Sequence, residues 1–189
     1  GAPPVAPEDG VLNARLMDQI KNACESVRKQ RPTIAPPSDT PPRIVVTGAS
    51  GFLGGRLVDV LSSQGTPVRG TTRLVSRARQ LPGVQWVQCD LAREDGLRTA
   101  LAGMETVVHC AALCGPPGSQ EEYEDANVRG TIRLVHLARE AGVKNFVYVS
   151  SMSVYAAPQD TSSLLDESSP YDARADERGA YTQSKLAAD

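Results

Sequence analysis

The stretch Arg43-Ile-Val-Val-Thr-Gly-Ala-Ser-Gly-Phe-Leu-Gly-Gly55 constrains this chain more than any other part of it. Arg43 to Val46 is short, apolar and β-branched, which predicts a buried strand. Thr47-Gly48 then predicts a tight turn, Gly51 and Gly54 follow at three-residue intervals, and Arg56 to Leu61 predicts a helix. A strand that runs through a glycine turn into a helix makes a nucleotide-phosphate site. The glycines let the backbone approach a pyrophosphate, and the helix start supplies free N–H groups with partial positive charge. Glycine triplets also serve ordinary turns, so the flanking strand and helix give this one its weight. The amides from Ser50 to Leu53 are the expected phosphate contacts.

The remainder alternates between strand and helix patterns. Strands are predicted at Pro67 to Thr72, Val84 to Cys89, Thr106 to Cys110 and Asn145 to Ser150. Helices are predicted at Glu94 to Ala102, at Glu121 to Ala141 with Val128, Ile132, Val135 and Ala138 on one face, and from Tyr181 onward. Residues 156–180 read as a polar loop. Such alternation predicts an α/β fold, a Rossmann-like doubly wound parallel sheet. Right-handed crossovers give the order 3-2-1-4-5, with the sheet incomplete at the C-terminus. Ahead of this domain, at 43–189, residues 1–42 form a separate segment. It starts Pro-rich, and an extra N-terminal helix from Val11 to Gln30 carries a stripe of Leu12, Leu16, Ile20, Cys24 and Val27. Pro32, Pro36, Pro37, Pro41 and Pro42 then make an extended linker.

Composition removes several classes of function. With 189 residues and a net charge of −2, the chain has no electrostatic case for nucleic acid or an anionic membrane. Aromatics at 4% leave little for base stacking. No apolar run is long enough for a membrane helix, and the N-terminus lacks the basic and apolar regions of a signal peptide. Cys24, Cys89, Cys110 and Cys114 contain no Cys-x-x-Cys, and there are two histidines, so no metal site is expected. The cysteine usage fits a reducing, cytoplasmic compartment.

Six short motifs, in order, resemble the extended branch of the short-chain dehydrogenase/reductase family, the NAD(P)-dependent epimerase/dehydratase-like group. They are Thr47-Gly-Ala-Ser-Gly-Phe-Leu-Gly54, Asp90-Leu91, His109-Cys-Ala-Ala112, Asn127-Val-Arg-Gly-Thr131, Ser150-Ser-Met-Ser-Val-Tyr155 and Tyr181-Thr-Gln-Ser-Lys185. The match covers residues 43–189. A shorter likeness, Leu16 to Ser26, is to the last helix of the glucose–fructose oxidoreductase family and implies a fusion protein; the other expected assembly is a homodimer.

Tyr181 and Lys185 have a physical logic of their own. Residues four apart share a helix face. A free tyrosine titrates near ~10, and lowering that by ~3 units takes ~4 kcal/mol of differential stabilisation of the phenolate. A neighbouring ammonium in a desolvated site supplies much of it. The bland alternative is a chance surface pair. The resemblance implies that Tyr181 is the general acid/base, that Lys185 holds the nicotinamide ribose and depresses the tyrosine, and that Ser151 hydrogen-bonds the substrate oxygen. Ser150 and Ser153 compete with Ser151 as turn serines, and Ser150 is expected to face the cofactor through its backbone. The resemblance further implies cofactor contacts from Gly48, Ser50, Gly51, Phe52, Leu53 and Gly54, and from the Cys110-Ala111-Ala112 run. Asp90 and Leu91 would hold the adenine, although Asp90 also suits a turn. Asn127 would stabilise the backbone beside the cofactor. His109 reads as a satisfied core residue.

An NAD enzyme places a carboxylate at the end of the second strand to accept from the ribose hydroxyls. Here Thr72 stands at that place, Arg73 follows and Arg77 lies one turn on. A guanidinium without a carboxylate suits a 2′-phosphate, so NADP is expected, with NAD the alternative. The implied reaction is hydride transfer at a secondary alcohol or ketone carbon of a small molecule, ending as a simple redox reaction, an epimerisation or a dehydration, with nucleotide-sugars first and sterol-like or flavonoid-like carbonyls second. A cofactor-binding or sensing module without catalysis is the competing class. The branch builds its substrate pocket beyond the Tyr-x-x-x-Lys helix, so little turnover is expected of residues 1–189 alone.

Overall fold

The computed structural model describes residues 40–115, 118–156, 165–166 and 168–189. The predicted N-terminal helix and most of the proline linker lie outside those residues. Five strands form one parallel sheet: β1 (Ile44–Thr47), β2 (Val68–Thr72), β3 (Val84–Gln88), β4 (Thr106–His109) and β5 (Asn145–Tyr148). Their order is β3-β2-β1-β4-β5, as the alternation predicted. Thr47 pairs with His109, and His109 pairs with Tyr148, so β1, β4 and β5 end level with one another.

Helices cover both faces because successive strand residues point to opposite sides. Val45 packs against Leu97, Leu101, Leu134 and Leu137, carried by α2 (Glu94–Leu101) and α4 (Gly130–Glu140). Val46 packs with Val58 of α1 (Phe52–Ser63) and Val68 on the other face. Leu97, Leu101 and Leu134 are at most 1% exposed, and each contributes roughly 1.5–3 kcal/mol of burial. The chain leaves β1 for β2 on one side and crosses from β3 to β4 on the other, so the strand order reverses between β1 and β4, which in an open α/β sheet places a crevice outside their C-terminal ends. Ligands of open α/β sheets bind in such a crevice.

Several boundaries differ from the sequence reading. The first strand includes Thr47, and α1 starts at Phe52 rather than Arg56, because the glycine turn closes immediately after Gly51. The fourth and fifth strands stop at His109 and Tyr148, short of Cys110 and Ser150. The long helix is three pieces: a single turn, α3 (Gln120–Tyr123), a π-helical segment (Glu124–Arg129), then α4. Its expected apolar stripe is half wrong. Val128 and Ala138 are buried, but Ile132 is 50% and Val135 is 44% exposed. The buried row is instead Asn127, Thr131, Leu134 and Ala138. Its first two members are polar, so a search for apolar residues passes over them; they are buried because each is hydrogen-bonded. The described part of the polar loop after Tyr155 holds an antiparallel bridge, Tyr155 to Tyr171, and a 3₁₀ turn at Ala175–Arg178. The last helix, α5, spans Ala180–Ala188.

Candidate active site

Every residue singled out from the sequence for the site lies at or beside the C-terminal edge of the sheet. The glycine turn leaves β1. Thr72 and Arg73 end β2, Asp90 and Leu91 follow β3, Cys110 to Ala112 follow β4, and Ser150 and Ser151 follow β5. Tyr181 and Lys185 come from α5, and Asn127 from the π segment.

The turn is packed too tightly for side chains at two points. Gly48 has φ of 64°, and a Cβ there would sit 2.8 Å from the Ala111 backbone. A Cβ on Gly54 would sit 2.5 Å from the Gly48 carbonyl oxygen. The first turn of α1 has no side-chain cap and no acidic residue. No side-chain cap or carboxylate therefore neutralises the partial positive charge of its free N–H groups, as an anion site requires. Phe52 and Leu53 are exposed there, Phe52 almost fully. This cradle fits a dinucleotide diphosphate.

A buried polar chain ties that turn to the helix layer. Thr131 Oγ1 donates to the Asn127 carbonyl at 2.6 Å, so its proton is used. His109 Nε2, 3.0 Å away, must then be the donor to Thr131. His109 Nδ1 accepts from Thr47 Oγ1 at 2.6 Å, and that oxygen accepts from the Ala111 N–H at 3.2 Å. Burial, aided by the Lys185 charge, pushes the imidazole down to about 4. His109 is neutral and structural, as its strand context suggested.

Asn127 joins the strap after β4 to α5. Its Oδ1 accepts from Leu113 N–H at 2.7 Å, and its Nδ2 donates to the Leu113 carbonyl at 3.0 Å and to Ser184 Oγ at 2.9 Å. Both amide protons are used, so this side chain fixes the walls and has no donor left for a ligand. Ser184 Oγ in turn donates to the Tyr181 carbonyl. The π segment widens the helix at Asn127, a distortion frequent at functional sites.

Lys185 is 2% exposed. Its ammonium donates to the Val149 carbonyl at 2.7 Å and lies 4.1 Å from the centre of the Tyr148 ring. Burial lowers its pKa, while Asp189, Cys110 and Cys114 act in the opposite direction. Tyr181 is half-buried, its ring edge-on to Tyr123 at 6.4 Å, and its hydroxyl has no hydrogen-bond partner among the described residues. Ser151 N-caps the 3₁₀ turn Met152–Val154: its Oγ accepts from Ser153 N–H at 3.2 Å and shares a 2.9 Å hydrogen bond with Ser153 Oγ. It is thus the turn serine of the bland reading, and the 3₁₀ turn that it caps packs against α5, the helix that carries Tyr181. No hydrogen bond joins Ser151 to Tyr181.

At the end of β2, Thr72 is buried and its Oγ1 donates to Ser50 Oγ at 3.1 Å. Arg73 is exposed and has no ion-pair partner among the described residues; the Arg77 side chain lies outside them. Asp90 Oδ1 accepts from Ala92 N–H at 3.0 Å, a turn contact that leaves its other oxygen free. Leu91 is gripped by α4: Arg133 donates to its carbonyl, and a Cβ on Gly130 would come within 2.9 Å of its side chain. Cys110 is half-buried, and burial raises its thiol pKa. Ser150 Oγ is buried without a partner among the described residues.

Sequence reasoning missed the contributions of Ser153, Ser184, Tyr148 and Arg133. Thr131 stood in a quoted motif with no role. Only the serine run and that motif carried any signal for them. Among the described residues, no group of three or more His, Cys, Asp or Glu is placed to hold a metal ion, and no helix is long and apolar enough to cross a membrane.

Comparison with known proteins agrees with this geometry. The sequence pattern of the NAD dependent epimerase/dehydratase family matches residues 44–189. A 3-beta-hydroxysteroid dehydrogenase of Mycolicibacterium neoaurum is 38% identical over 154 residues, covering 78% of this chain and 41% of that protein. The chain thus spans about two fifths of that curated relative. A short-chain dehydrogenase/reductase superfamily structure from Agrobacterium tumefaciens with bound NAD superposes with a TM-score of 0.66 at 31% identity, covering 77% of this chain and 42% of that one. MoeE5 in complex with UDP-glucose and NAD gives 0.63 at 33%, covering 77% and 46%.

Proposed function

The chain belongs to the NAD dependent epimerase/dehydratase family, and from that membership we propose that it forms the cofactor-binding and proton-transfer part of an NADP-dependent oxidoreductase. The substrate would be a secondary alcohol or ketone on an apolar, sterol-like skeleton. The observation that carries this reading is the placement of a buried Lys185, with Tyr181 one turn before it, at the same sheet edge as the uncapped glycine turn.

The bound nicotinamide would supply or accept the hydride. The residues of the chain do the rest. Tyr181 Oη gives a proton to, or takes one from, the substrate oxygen. Lys185, an ammonium in a desolvated place one helical turn from Tyr181, would hold the cofactor's ribose beside the reacting oxygen. Ser151 Oγ orients the same substrate oxygen, its own position fixed by the Ser153 amide. Asn127 keeps α5 in register with the strap after β4. A binding or sensing module has no need of a proton relay through Ser151 and Tyr181, which favours catalysis over that alternative.

NADP is favoured over NAD by the hydroxyl of Thr72 where a carboxylate would repel a 2′-phosphate, and by the unpaired Arg73 beside it. NAD is the second reading, supported by the NAD bound in the two similar structures. An apolar substrate is favoured by the hydroxysteroid relative and by Met152, 77% exposed directly after Ser151. A nucleotide-sugar is the second reading, supported by the UDP-glucose in MoeE5.

Isothermal titration calorimetry reads both cofactor affinities. NADPH should bind about tenfold or more tighter than NADH, and Arg73→Ala should remove that preference, since a charge-assisted hydrogen bond contributes roughly 1.5–3 kcal/mol. In the complete natural polypeptide, Tyr181→Phe should cut turnover by about 10²–10⁴ with NADPH affinity unchanged. Equal affinity for both cofactors would remove the NADP reading, and normal turnover in Tyr181→Phe would remove the mechanism.

A further inference from the structure

The last residue of β5 and the one just after it contribute two different groups to Lys185. The Val149 carbonyl accepts from the Lys185 ammonium at 2.7 Å. Just before it, the Tyr148 ring centre lies 4.1 Å from Lys185 Nζ. A cation at that distance from an aromatic face is attracted by the ring quadrupole, and more strongly where water is excluded. Lys185 is 2% exposed and has no carboxylate ion-pair partner among the described residues. Its charge therefore rests on one carbonyl and one ring. We propose that Tyr148 is a positioning residue for Lys185, holding the ammonium charged and in place before any cofactor arrives.

The hydroxyl of Tyr148 takes no part in this. It is buried with no hydrogen-bond partner among the described residues. Burial raises its pKa to about 12, with Asp189 and Tyr181 adding to the rise, so the ring stays neutral and cannot act as a counter-ion through its oxygen. The face of the ring is what the lysine meets. The ring is itself steadied by His109, 5.7 Å away centre to centre, and through it by the Thr47–His109–Thr131 chain. The other titratable groups that interact with Lys185 are Asp189, the C-cap of its own helix, Cys110 and Cys114 after β4, and His109 of β4, which stays neutral. The effect on cofactor binding rests on the function proposed above; the effect on the lysine does not.

The chain holds four lysines, so ¹³Cε labelling resolves Lys185 by NMR. In the wild type its methylene signals should be shifted upfield by the ring current. Tyr148→Phe keeps the ring and should keep both the shift and the titration midpoint. Tyr148→Leu should lose the shift and titrate about one pH unit lower. A thermal melt of each variant separates this from unfolding, and the wild-type ring-current shift tests the contact without any substitution. An unshifted Lys185 in the wild type, or equal midpoints in wild type and a folded Tyr148→Leu, would overturn the assignment. NADPH titration is the second arm: about tenfold weaker binding in Tyr148→Leu, restored in Tyr148→Phe, extends the role to the cofactor. Wild type that shows the ring-current shift yet binds no NADPH would leave the assignment standing and refute the cofactor reading alone.

Discussion

His109 makes the fold acid-sensitive in a way that can be worked out from its hydrogen bonds. Its Nδ1 must accept from Thr47 and its Nε2 must donate to Thr131, so the folded state holds the neutral ring. A protonated ring would turn Nδ1 into a donor facing an oxygen whose proton already points at it, in a place that is 1% exposed. The folded pKa falls from the ordinary 6.5 to about 4. The sign follows from that depression. Above about 6.5 both states are neutral and the full contribution is present; as pH falls, the unfolded chain takes up the proton first and stability is lost until the folded pKa is passed. With those two values the loss is about 2 kcal/mol by pH 5 and about 3 kcal/mol by pH 4. For a domain of this size the first figure lowers the melting temperature by about 4–8 °C. Carboxylates such as Asp166 and Asp172, whose pKa values are lowered by their hydrogen bonds, also lose stability in acid. The measurement is therefore a subtraction: urea unfolding of wild type and His109→Gln from pH 7.5 to 4.5. The variant should be less stable at neutral pH, and the gap should close as pH falls. A gap that stays constant over that range would refute the reasoning. So would an ¹⁵N spectrum showing His109 as the Nδ1–H tautomer.

Two further outcomes follow from the site. Gly54→Ala puts a Cβ 2.5 Å from a backbone oxygen that cannot move without opening the turn; it should weaken NADPH binding by about tenfold or more and cost about 1–3 kcal/mol of stability, read by titration and by urea unfolding. Asn127→Leu strands Leu113 N–H and carbonyl and removes the tie to Ser184; it should cost about 3 kcal/mol in urea unfolding, and a loss under about 1 kcal/mol would show that the strap after β4 is not anchored there.

Much of the fold was legible because it depends on short-range patterns. Val45 and Val46 are β-branched and apolar, and a parallel strand buried on both faces demands that. Gly48, Gly51 and Gly54 mark the turn because each place has a backbone or contact requirement that other residues meet poorly. The site was legible where residue type and spacing carry the chemistry. Tyr181 and Lys185 share a helix face by periodicity alone, and the lack of an acid after Thr72 is visible in the letters.

The sequence by itself determined the alternation of strands and helices, the order of the sheet and the edge at which the chemistry gathers, since local propensity and chain connectivity leave few other solutions. Only the tertiary structure decided which row of the long helix is buried: Asn127 and Thr131 are polar, and their burial is tolerable solely because Leu113, Ser184 and His109 meet them there. It also decided the tautomer of His109, the partner of Ser151 and the ring beneath Lys185. Those depend on groups brought together from distant parts of the chain or on the local backbone geometry, and no spacing along the sequence encodes the distances between them.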